Sequence, residues 1–195
     1  MISPYEGKDN SEFASITRKL VDDFPISRQE LVEIVSEAWK DIYTSSFGNS
    51  ELCIGKDIFI PAQATGVILE KLIAIKLSNR YPKAWRGGIH KSEKDIVCLY
   101  NDNNSFEIKT SSSASGLYGN RSTGHRSDNS VKSRTGYYLV VNYKLPTEID
   151  PSKGIKKIRF GWIDDSDWVG QDKPTGQQAS IGSELARLKL ITLLE

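Results

Sequence analysis

The stretch from Glu93 to Thr110 constrains the fold of this chain more than any other part of the sequence. Its middle, residues 101–104, reads Asn-Asp-Asn-Asn, and these residue types tolerate turn and left-handed backbone geometry. On either side, residues 96–100 and 106–110 are short runs with the composition of strands. The stretch therefore predicts a β-hairpin closed by a tight polar turn.

The two faces of the second strand are predicted to differ in character. Because successive side chains of a strand point to opposite sides, Glu107 and Lys109 share one face, whereas Phe106 and Ile108 point to the other. Asp95 stands at the start of the first strand. Two acids and a lysine should therefore converge on one side of the hairpin, and we expect any chemistry to take place there.

Helical patterns precede the hairpin. Apolar residues recur at helical intervals from Ser11 to Phe24, and Ser27 begins a capping-box pattern ahead of a second apolar stripe from Leu31 to Ile42. A third and longer helix is predicted from Ala62 to Arg80, where the chain stops at a Tyr-Pro pair. The first two of these helices are most simply packing elements.

Strand patterns follow the hairpin. Tyr137 to Tyr143 is an apolar run that predicts a buried strand, and Ile155 to Ile163 alternates well enough for another. Residues 164–167, Asp-Asp-Ser-Asp, lack the glycine and distal glutamate of an EF-hand and are interpreted as an acidic turn. Residues 168–180 are expected to be surface loop. The segment from Ile181 to Leu194 fits either helix or strand, and both interpretations stay open.

The overall composition is that of an ordinary globular protein. The 195 residues are 38% apolar and 26% charged, and the formal net charge of +1 points to no particular partner. We expect a single domain with a helical N-terminal region, residues 1–50, and a core, residues 51–195. The N-terminus lacks a signal-peptide core, no apolar run reaches the roughly 20 residues of a membrane span, and the two cysteines show no metal or redox spacing. A soluble protein with reduced thiols in the cytoplasm is expected.

Two polar segments flank the hairpin. From Lys71 to Lys94 there are seven lysines and arginines against the single acid Glu93, which indicates either solvated surface or a phosphate-binding face. From Ser111 to Gly136 the chain is rich in serine, glycine and hydrogen-bonding side chains and has almost no apolar residue. A polar tract of this length is usually functional or disordered, so this segment is either a loop that orders against nucleic acid or a mobile linker.

The charged face of the hairpin suits metal-dependent hydrolysis of a phosphodiester. The carboxylates of Asp95 and Glu107 are hard oxygen ligands of the kind that Mg²⁺ takes, with waters and a substrate phosphate completing its octahedron. Lys109 can hold the attacking water or neutralise the charge that develops on the phosphate. The bland alternative is a salt-bridge cluster of these three side chains in a soluble α/β domain.

Asp95, then Glu107-Ile108-Lys109 on the next strand of a hairpin, with Glu70 on the preceding helix, resembles the PD-(D/E)XK nuclease superfamily and, within it, the small type II restriction endonucleases. The resemblance implies an α/β (α+β) fold with a mixed central β-sheet flanked by helices. It also implies that Asp95 and Glu107 bind Mg²⁺, that Lys109 assists the attacking water, and that Glu70 joins the catalytic site. For Glu70 the alternative is a pair with a lysine or a position at the solvent edge.

The chain departs from the motif at two places. Lys94 stands where the motif has its proline. The segment before Tyr137 lacks the amphipathic pattern of the usual crossover helix, so either a poor helix lies within residues 129–134 or the topology is altered.

The resemblance also implies a partner, double-stranded DNA in a prokaryotic cell. A sequence-specific nuclease needs base-reading groups beside its metal site, and the polar segment supplies candidate DNA-binding residues: Asn120, Arg121, His125, Arg126, Asn129, Lys132 and Arg134. A homodimer would match a symmetric duplex site. The alternatives are a repair or junction-resolving nuclease with the same core, and a DNA-binding module without catalysis.

Overall fold

Helices come first and strands dominate the second half of the chain. The computed structural model describes residues 2–120, 133–145, 154–171 and 178–195. Its helices are α1 (Asn10–Asp22), α2 (Arg28–Thr44), α3 (Ala62–Arg80) and α4 (Ser183–Lys189). Its strands are β1 (Ser46–Phe47), β2 (Leu52–Cys53), β3 (Trp85–Gly87), β4 (Ile96–Cys98), β5 (Phe106–Ser111), β6 (Tyr118–Asn120), β7 (Gly136–Tyr143), β8 (Ile155–Ile163), β9 (Val169–Gly170), β10 (Gln178–Ser180) and β11 (Leu190–Leu194).

Six of the described strands form the central sheet, in the order β11-β8-β7-β5-β4-β3. Strand β5 runs parallel to β7, whereas the pairs β3–β4, β4–β5, β7–β8 and β8–β11 are antiparallel. Side chains of α1, α2 and α3 pack with one face of the sheet in the main hydrophobic core. The predicted mixed sheet flanked by helices is confirmed. The poor helix considered for residues 129–134 falls mostly outside the described residues.

An aromatic cluster around Phe24 joins the end of α1 to this sheet. The Phe24 ring centroid lies 4.7 Å from that of Tyr137 and 4.6 Å from that of Phe160, in tilted contacts. Phe106, fully buried, packs edge-on against Phe24 at 6.1 Å. Because a slip of one residue would turn these rings out of the core, their burial fixes which face of β5 carries Glu107.

Helix α3 approaches β5 closely at Gly66. A Cβ atom at this position would lie 2.3 Å from Thr110 Oγ1, so the backbones can pack this closely only because residue 66 is glycine. The hydroxyl of Tyr143 donates to the carbonyl of Ala62 at 2.7 Å and fastens the start of the helix to β7. These contacts place the first half of α3 beside the strand that carries Glu107.

The predicted helices are all observed. Helix α3 begins at Ala62 and ends at Arg80 as expected, and the backbone N–H of Glu30 donates to the Ser27 hydroxyl that caps α2. The Glu30 carboxylate, which the capping-box pattern directs back to the helix start, accepts instead from the hydroxyl of Tyr81. A tertiary contact therefore draws the second half of the capping box away.

A smaller sheet in the order β6-β10-β9 covers the other face of the central sheet. Leu117 and Trp168 are buried there against Tyr138. The expectation of a surface loop at residues 168–180 was therefore wrong, because Trp168 and Ala179 are buried and the described part of the segment contains the strands β9 and β10. The polar tract after β5 likewise contributes Leu117 to a core.

The last segment, for which helix and strand were both left open, contains a helix followed by a strand. It begins as α4 and passes directly into β11, the edge strand that pairs with β8. Lys189, the last helical residue, is buried, and its amino group donates to Asp164 at 2.7 Å and to Asp167 at 2.8 Å. The predicted acidic turn is a 3-10 turn at residues 165–167, and the carboxylates of Asp164 and Asp167 face this lysine.

Two smaller expectations can be compared with the structure. Buried Cys98 and half-buried Cys53 are free thiols, as predicted. None of the described helices is long and apolar enough to cross a membrane.

Candidate active site

The hairpin of β4 and β5 brings Asp95, Glu107 and Lys109 together. The first residues of the two strands pair across the hairpin. One oxygen of Asp95, Oδ2, accepts a hydrogen bond from the backbone N–H of Ile108 at 2.8 Å, so this carboxylate is held against β5. The amino group of Lys109 lies 3.7 Å from Glu107 Oε2, on the shared face that strand alternation predicts.

Glu107 is the most buried member of this group, with 4% of its surface exposed. A desolvated carboxylate requires positive or hydrogen-bonding neighbours. Lys94 supplies one from the protein interior, since its Nζ lies 3.8 Å from Glu107 Oε1. Lys109 approaches the other oxygen from a side chain that is 27% exposed. The two oxygens of Glu107 therefore each face a lysine, one buried and one accessible.

Tyr138 of β7 lies beside the two carboxylates. Burial raises the pKa of the Tyr138 hydroxyl well above its ordinary value, and the negative charges of Glu107 and Asp95 raise that pKa further. The hydroxyl donates to the carbonyl of Arg134 at 2.6 Å. Near neutral pH the phenol is therefore a neutral hydrogen-bond donor.

Comparison with known proteins identifies the family. The model of the ScaI restriction endonuclease family matches residues 3–194. The chain belongs to this family. Within it, the type II restriction enzyme ScaI of Streptomyces caespitosus is 36% identical over 194 residues, which cover 98% of this chain and 84% of that protein. The resemblance to type II restriction endonucleases is confirmed.

A solved structure is also similar to this ScaI-family chain. The restriction endonuclease BglI, bound to its DNA recognition sequence, aligns with a TM-score of 0.42 and 12% sequence identity, covering 94% of this chain and 88% of that chain. The fold class is therefore assigned from the central sheet of this chain and not from this alignment.

Type II restriction endonucleases generally use divalent metal ions. Within the described ranges, no group of three or more histidine, cysteine, aspartate or glutamate side chains could hold a metal ion. Two carboxylates, Asp95 and Glu107, are nevertheless sufficient for Mg²⁺, which usually binds one or two carboxylates together with waters and substrate phosphates. The donors that this ScaI-family chain places on its hairpin therefore fit the metal chemically.

Among the residues that the structure describes, Glu70 does not join Asp95 and Glu107 in a group of three acids that could hold a metal ion. Its carboxylate lies 2.9 Å from the amino group of Lys71 and is 27% exposed. This pairing corresponds to the alternative interpretation of Glu70, as an ion pair on the helix surface. A part for Glu70 in catalysis stays a prediction.

Much of the basic stretch before the hairpin is balanced by acids. Lys76 and Arg80 pair with carboxylates of α2 at 2.6 Å and 3.3 Å. Arg86 pairs with Glu93, and this guanidinium, together with two backbone N–H donors, holds the pKa of Glu93 far below its ordinary value. These contacts favour a solvated, internally paired surface over a phosphate-binding face for these residues.

The structure describes two of the predicted DNA-binding residues. Asn120 is exposed at the end of β6, where it pairs in register with Gln178. The guanidinium of Arg134 lies 3.5 Å from Asp165 Oδ1, so part of its charge is used within the protein. The other candidates lie outside the described residues: Arg121, His125, Arg126, Asn129 and Lys132.

Sequence reasoning overlooked Arg159 in β8. It points to the same side of the sheet as Lys109 and is buried, and its guanidinium donates to the Ser115 carbonyl at 2.8 Å and to Asn142 Oδ1 at 2.9 Å. The available signal was an arginine between two apolar residues of a predicted strand. Arg159 also lines a cavity of about 1140 Å³ with other basic residues, none of them a predicted catalytic residue: Arg18, Arg28, Lys157 and Arg187.

Sequence reasoning treated Lys94 as a departure from the motif and as one member of the basic stretch, and did not place it in the site. The structure buries this side chain against Glu107, so it belongs to the site. The signal was its place directly before Asp95, at the entrance to an apolar strand.

Proposed function

We propose that this protein is a type II restriction endonuclease that hydrolyses phosphodiester bonds at a specific sequence in double-stranded DNA, with Mg²⁺ as its cofactor. The observation that carries the proposal is the meeting of Asp95, Glu107 and Lys109 on one hairpin of a ScaI-family chain. A chain that only bound DNA would gain nothing from two carboxylates facing phosphates. Hydrolysis gives these acids a purpose.

Each side chain has a separate task in this proposal. Asp95 and Glu107 would hold Mg²⁺, which when bound would supply stabilisation of negative charge on the phosphate and a water of lowered pKa. The hydrogen bond from Ile108 N–H orients the Asp95 carboxylate before substrate arrives. Lys109, the accessible lysine, positions the attacking water or neutralises the charge on the phosphate as the leaving oxygen departs.

The proposal includes partners and location. DNA is contacted by the segment that follows β5, including the predicted residues from Asn120 to Arg134, because it leaves the strand that carries Glu107 and Lys109. We further propose a homodimer acting in the cytoplasm, since a two-fold symmetric duplex is matched by two identical chains.

Cleavage of plasmid DNA tests the proposal directly. The purified protein is incubated with plasmid and Mg²⁺, or Mn²⁺, with and without EDTA, and the products are separated on a gel. Discrete fragments that EDTA abolishes are expected. A smear, or a preference for branched substrates, would favour a repair or junction-resolving nuclease instead, and binding without cleavage in either metal would favour a DNA-binding module.

Three variants test the residue assignments. Lys109→Ala and Asp95→Ala should abolish cleavage while specific DNA binding stays measurable, because both act on the chemical step. Lys56→Ala, a change at an exposed lysine far along the chain from the hairpin, is the matched control and should cut at the wild-type rate. If Lys109→Ala or Asp95→Ala also cuts at that rate, the assignment of the site is wrong.

A further inference from the structure

Lys94 is a buried lysine beside Glu107 that has no task in the proposed hydrolysis. Only 7% of its surface is exposed. Its amino group donates to the carbonyl of Ser133 at 2.6 Å, lies 3.8 Å from Glu107 Oε1, and stands 5.6 Å from the centre of the Tyr138 ring. A carbonyl, a carboxylate and an aromatic face therefore surround one buried amine.

Burying a lysine is costly unless its charge is compensated. The three neighbours provide that compensation, and the ring lies within the range of a cation–π contact. Gly136, the first residue of β7, also lies against Lys94, since a Cβ atom there would stand 3.5 Å from the Lys94 amine. Its φ of +143° is a conformation that other residues rarely adopt. Backbone and side chains from two strands are thus arranged around Lys94.

The same amine connects two regions with different tasks. On one side is Glu107, a proposed Mg²⁺ ligand. On the other is the Ser133 carbonyl, at the end of the segment that the proposed function assigns to DNA. That end is held at further points, since Tyr138 donates to the Arg134 carbonyl at 2.6 Å and the backbone N–H of Asp165 donates to Thr135 Oγ1 at 3.1 Å.

We propose that Lys94 is a positioning residue that couples the DNA-contacting segment to the active centre, by holding the Glu107 carboxylate and the Ser133 backbone at a fixed separation. The inference rests on the proposed nuclease function. It separates the two lysines beside Glu107: Lys109 acts on water or phosphate, whereas Lys94 acts through Glu107 and through residues 133–135. A proline at position 94, which the motif contains, could form neither contact.

The test compares Lys94→Met with Lys94→Arg and Lys109→Ala. Methionine keeps the length and apolar packing of the side chain but removes the charge and the donor, whereas arginine keeps both. Lys56→Met is the control for loss of an exposed lysine. Cleavage is measured as a single-turnover rate at saturating DNA in Mg²⁺. Binding to a cognate duplex and to one altered at a single base pair is measured without metal by fluorescence anisotropy.

If Lys94 couples the two regions, Lys94→Met should lower the cleavage rate about 100-fold, the effect of a small misplacement of a catalytic group. It should also lower the ratio of cognate to altered-site affinity by about 3- to 30-fold, the usual size of such coupling. Lys94→Arg should recover part of both losses. Lys109→Ala should lose cleavage and keep the affinity ratio. Tyr138→Phe, which removes the bond to Arg134, should lower the affinity ratio as well.

Three results would overturn the inference. The first is a Lys94→Met cleavage rate within about threefold of wild type, and the second is an unchanged affinity ratio in that variant. The third is equal cleavage rates and affinity ratios in the methionine and arginine variants, which would mean that Lys94 only fills space. If Lys94→Met does not fold, the affinity ratios of Lys94→Arg and Tyr138→Phe are compared with wild type. A lowered ratio in Tyr138→Phe supports the inference, and unchanged ratios in both variants overturn it. Wild-type protein that fails to cut in Mg²⁺ or Mn²⁺ would instead refute the proposed function on which the inference rests, a result distinct from any of these three.

Discussion

Removal of the buried Lys189 amine should destabilise this protein far more than removal of a lysine from an ion pair at the surface. Lys189 is 3% exposed, and its amino group lies 2.7 Å from Asp164 and 2.8 Å from Asp167. It also stands 4.3 Å from the centre of the Tyr5 ring. In Lys189→Met both carboxylates stay buried without their cation. The turn that these acids form also carries Asp165, whose backbone N–H donates to Thr135 Oγ1 at 3.1 Å.

The magnitude follows from what the two acids retain. Breaking a buried ion pair by removing one partner costs about 3 to 5 kcal/mol. Asp164 keeps hydrogen bonds from Ser3 and from the Trp162 indole, and Asp167 keeps the Asp164 backbone N–H. These remaining donors place the expected loss near the lower end, about 3 kcal/mol. For a chain of this size that lowers the melting temperature by about 6 to 12 °C.

Urea unfolding measured by circular dichroism supplies the assay, with Lys157→Met as the matched control. Lys157 also pairs with a carboxylate, Glu195, but the two side chains are 19% and 68% exposed. A surface pair of this kind contributes about 0 to 1 kcal/mol, so the control should melt close to wild type. In the double variant Lys189→Met, Asp167→Asn, the loss should be smaller than the sum of the single losses, because the two groups interact.

The pH dependence provides a second check. Burial raises the pKa of Asp167 above its ordinary value, and Lys189 opposes that rise. Without the lysine the folded-state pKa of Asp167 should rise further, so folding favours the protonated acid and stability falls as the pH increases through that pKa. The loss in Lys189→Met should therefore be smaller at about pH 5 than at about pH 8. A loss below about 1 kcal/mol, equal to that of Lys157→Met, would refute the reasoning.

Two further predictions concern packing and alkaline stability. Gly66→Ala should destabilise the fold by about 1 to 3 kcal/mol and slow DNA cleavage, because the added Cβ would stand 2.3 Å from Thr110 Oγ1; Thr110→Ala in the same chain should restore much of both, and an unperturbed single variant would contradict the close approach. Burial raises the pKa of Tyr43 and of Tyr137 to about 12, so both stay neutral when folded, and the stability that they contribute is complete below about pH 10 and is lost as the pH rises towards 12. The urea midpoint should therefore fall less steeply with pH in the double variant Tyr43→Phe, Tyr137→Phe than in wild type. Equal slopes of midpoint against pH would contradict the prediction.

The sequence predicted the hairpin that carries the proposed catalytic residues because the determinants of a hairpin are local. The turn residues 101–104 and the alternation around Glu107 act within a few positions of the chain, and the structure reproduces both. Helix α3 was predicted to its end residues for the same reason. Its start after Pro61 and its stop before Pro82 are both readable from neighbouring residues.

Long-range contacts decided what the sequence left open. The last segment became α4 followed by β11 because Lys189 is drawn to the acidic turn and the following residues pair with β8. Trp168 and Ala179 became part of a core because they pack over the far face of the sheet. The residues that these segments contact are distant in the sequence, so no local pattern predicts the contacts.

The candidate site divides along the same line. The sequence by itself determined that Asp95, Glu107 and Lys109 would share one side of a hairpin, since strand alternation and a short turn require nothing distant. Only the tertiary structure decided that Lys94 would be buried against Glu107, because that contact needs β7 and the Ser133 backbone to close over it. Charge compensation inside a protein depends on which chain segments meet there, and the order of residues does not state this directly.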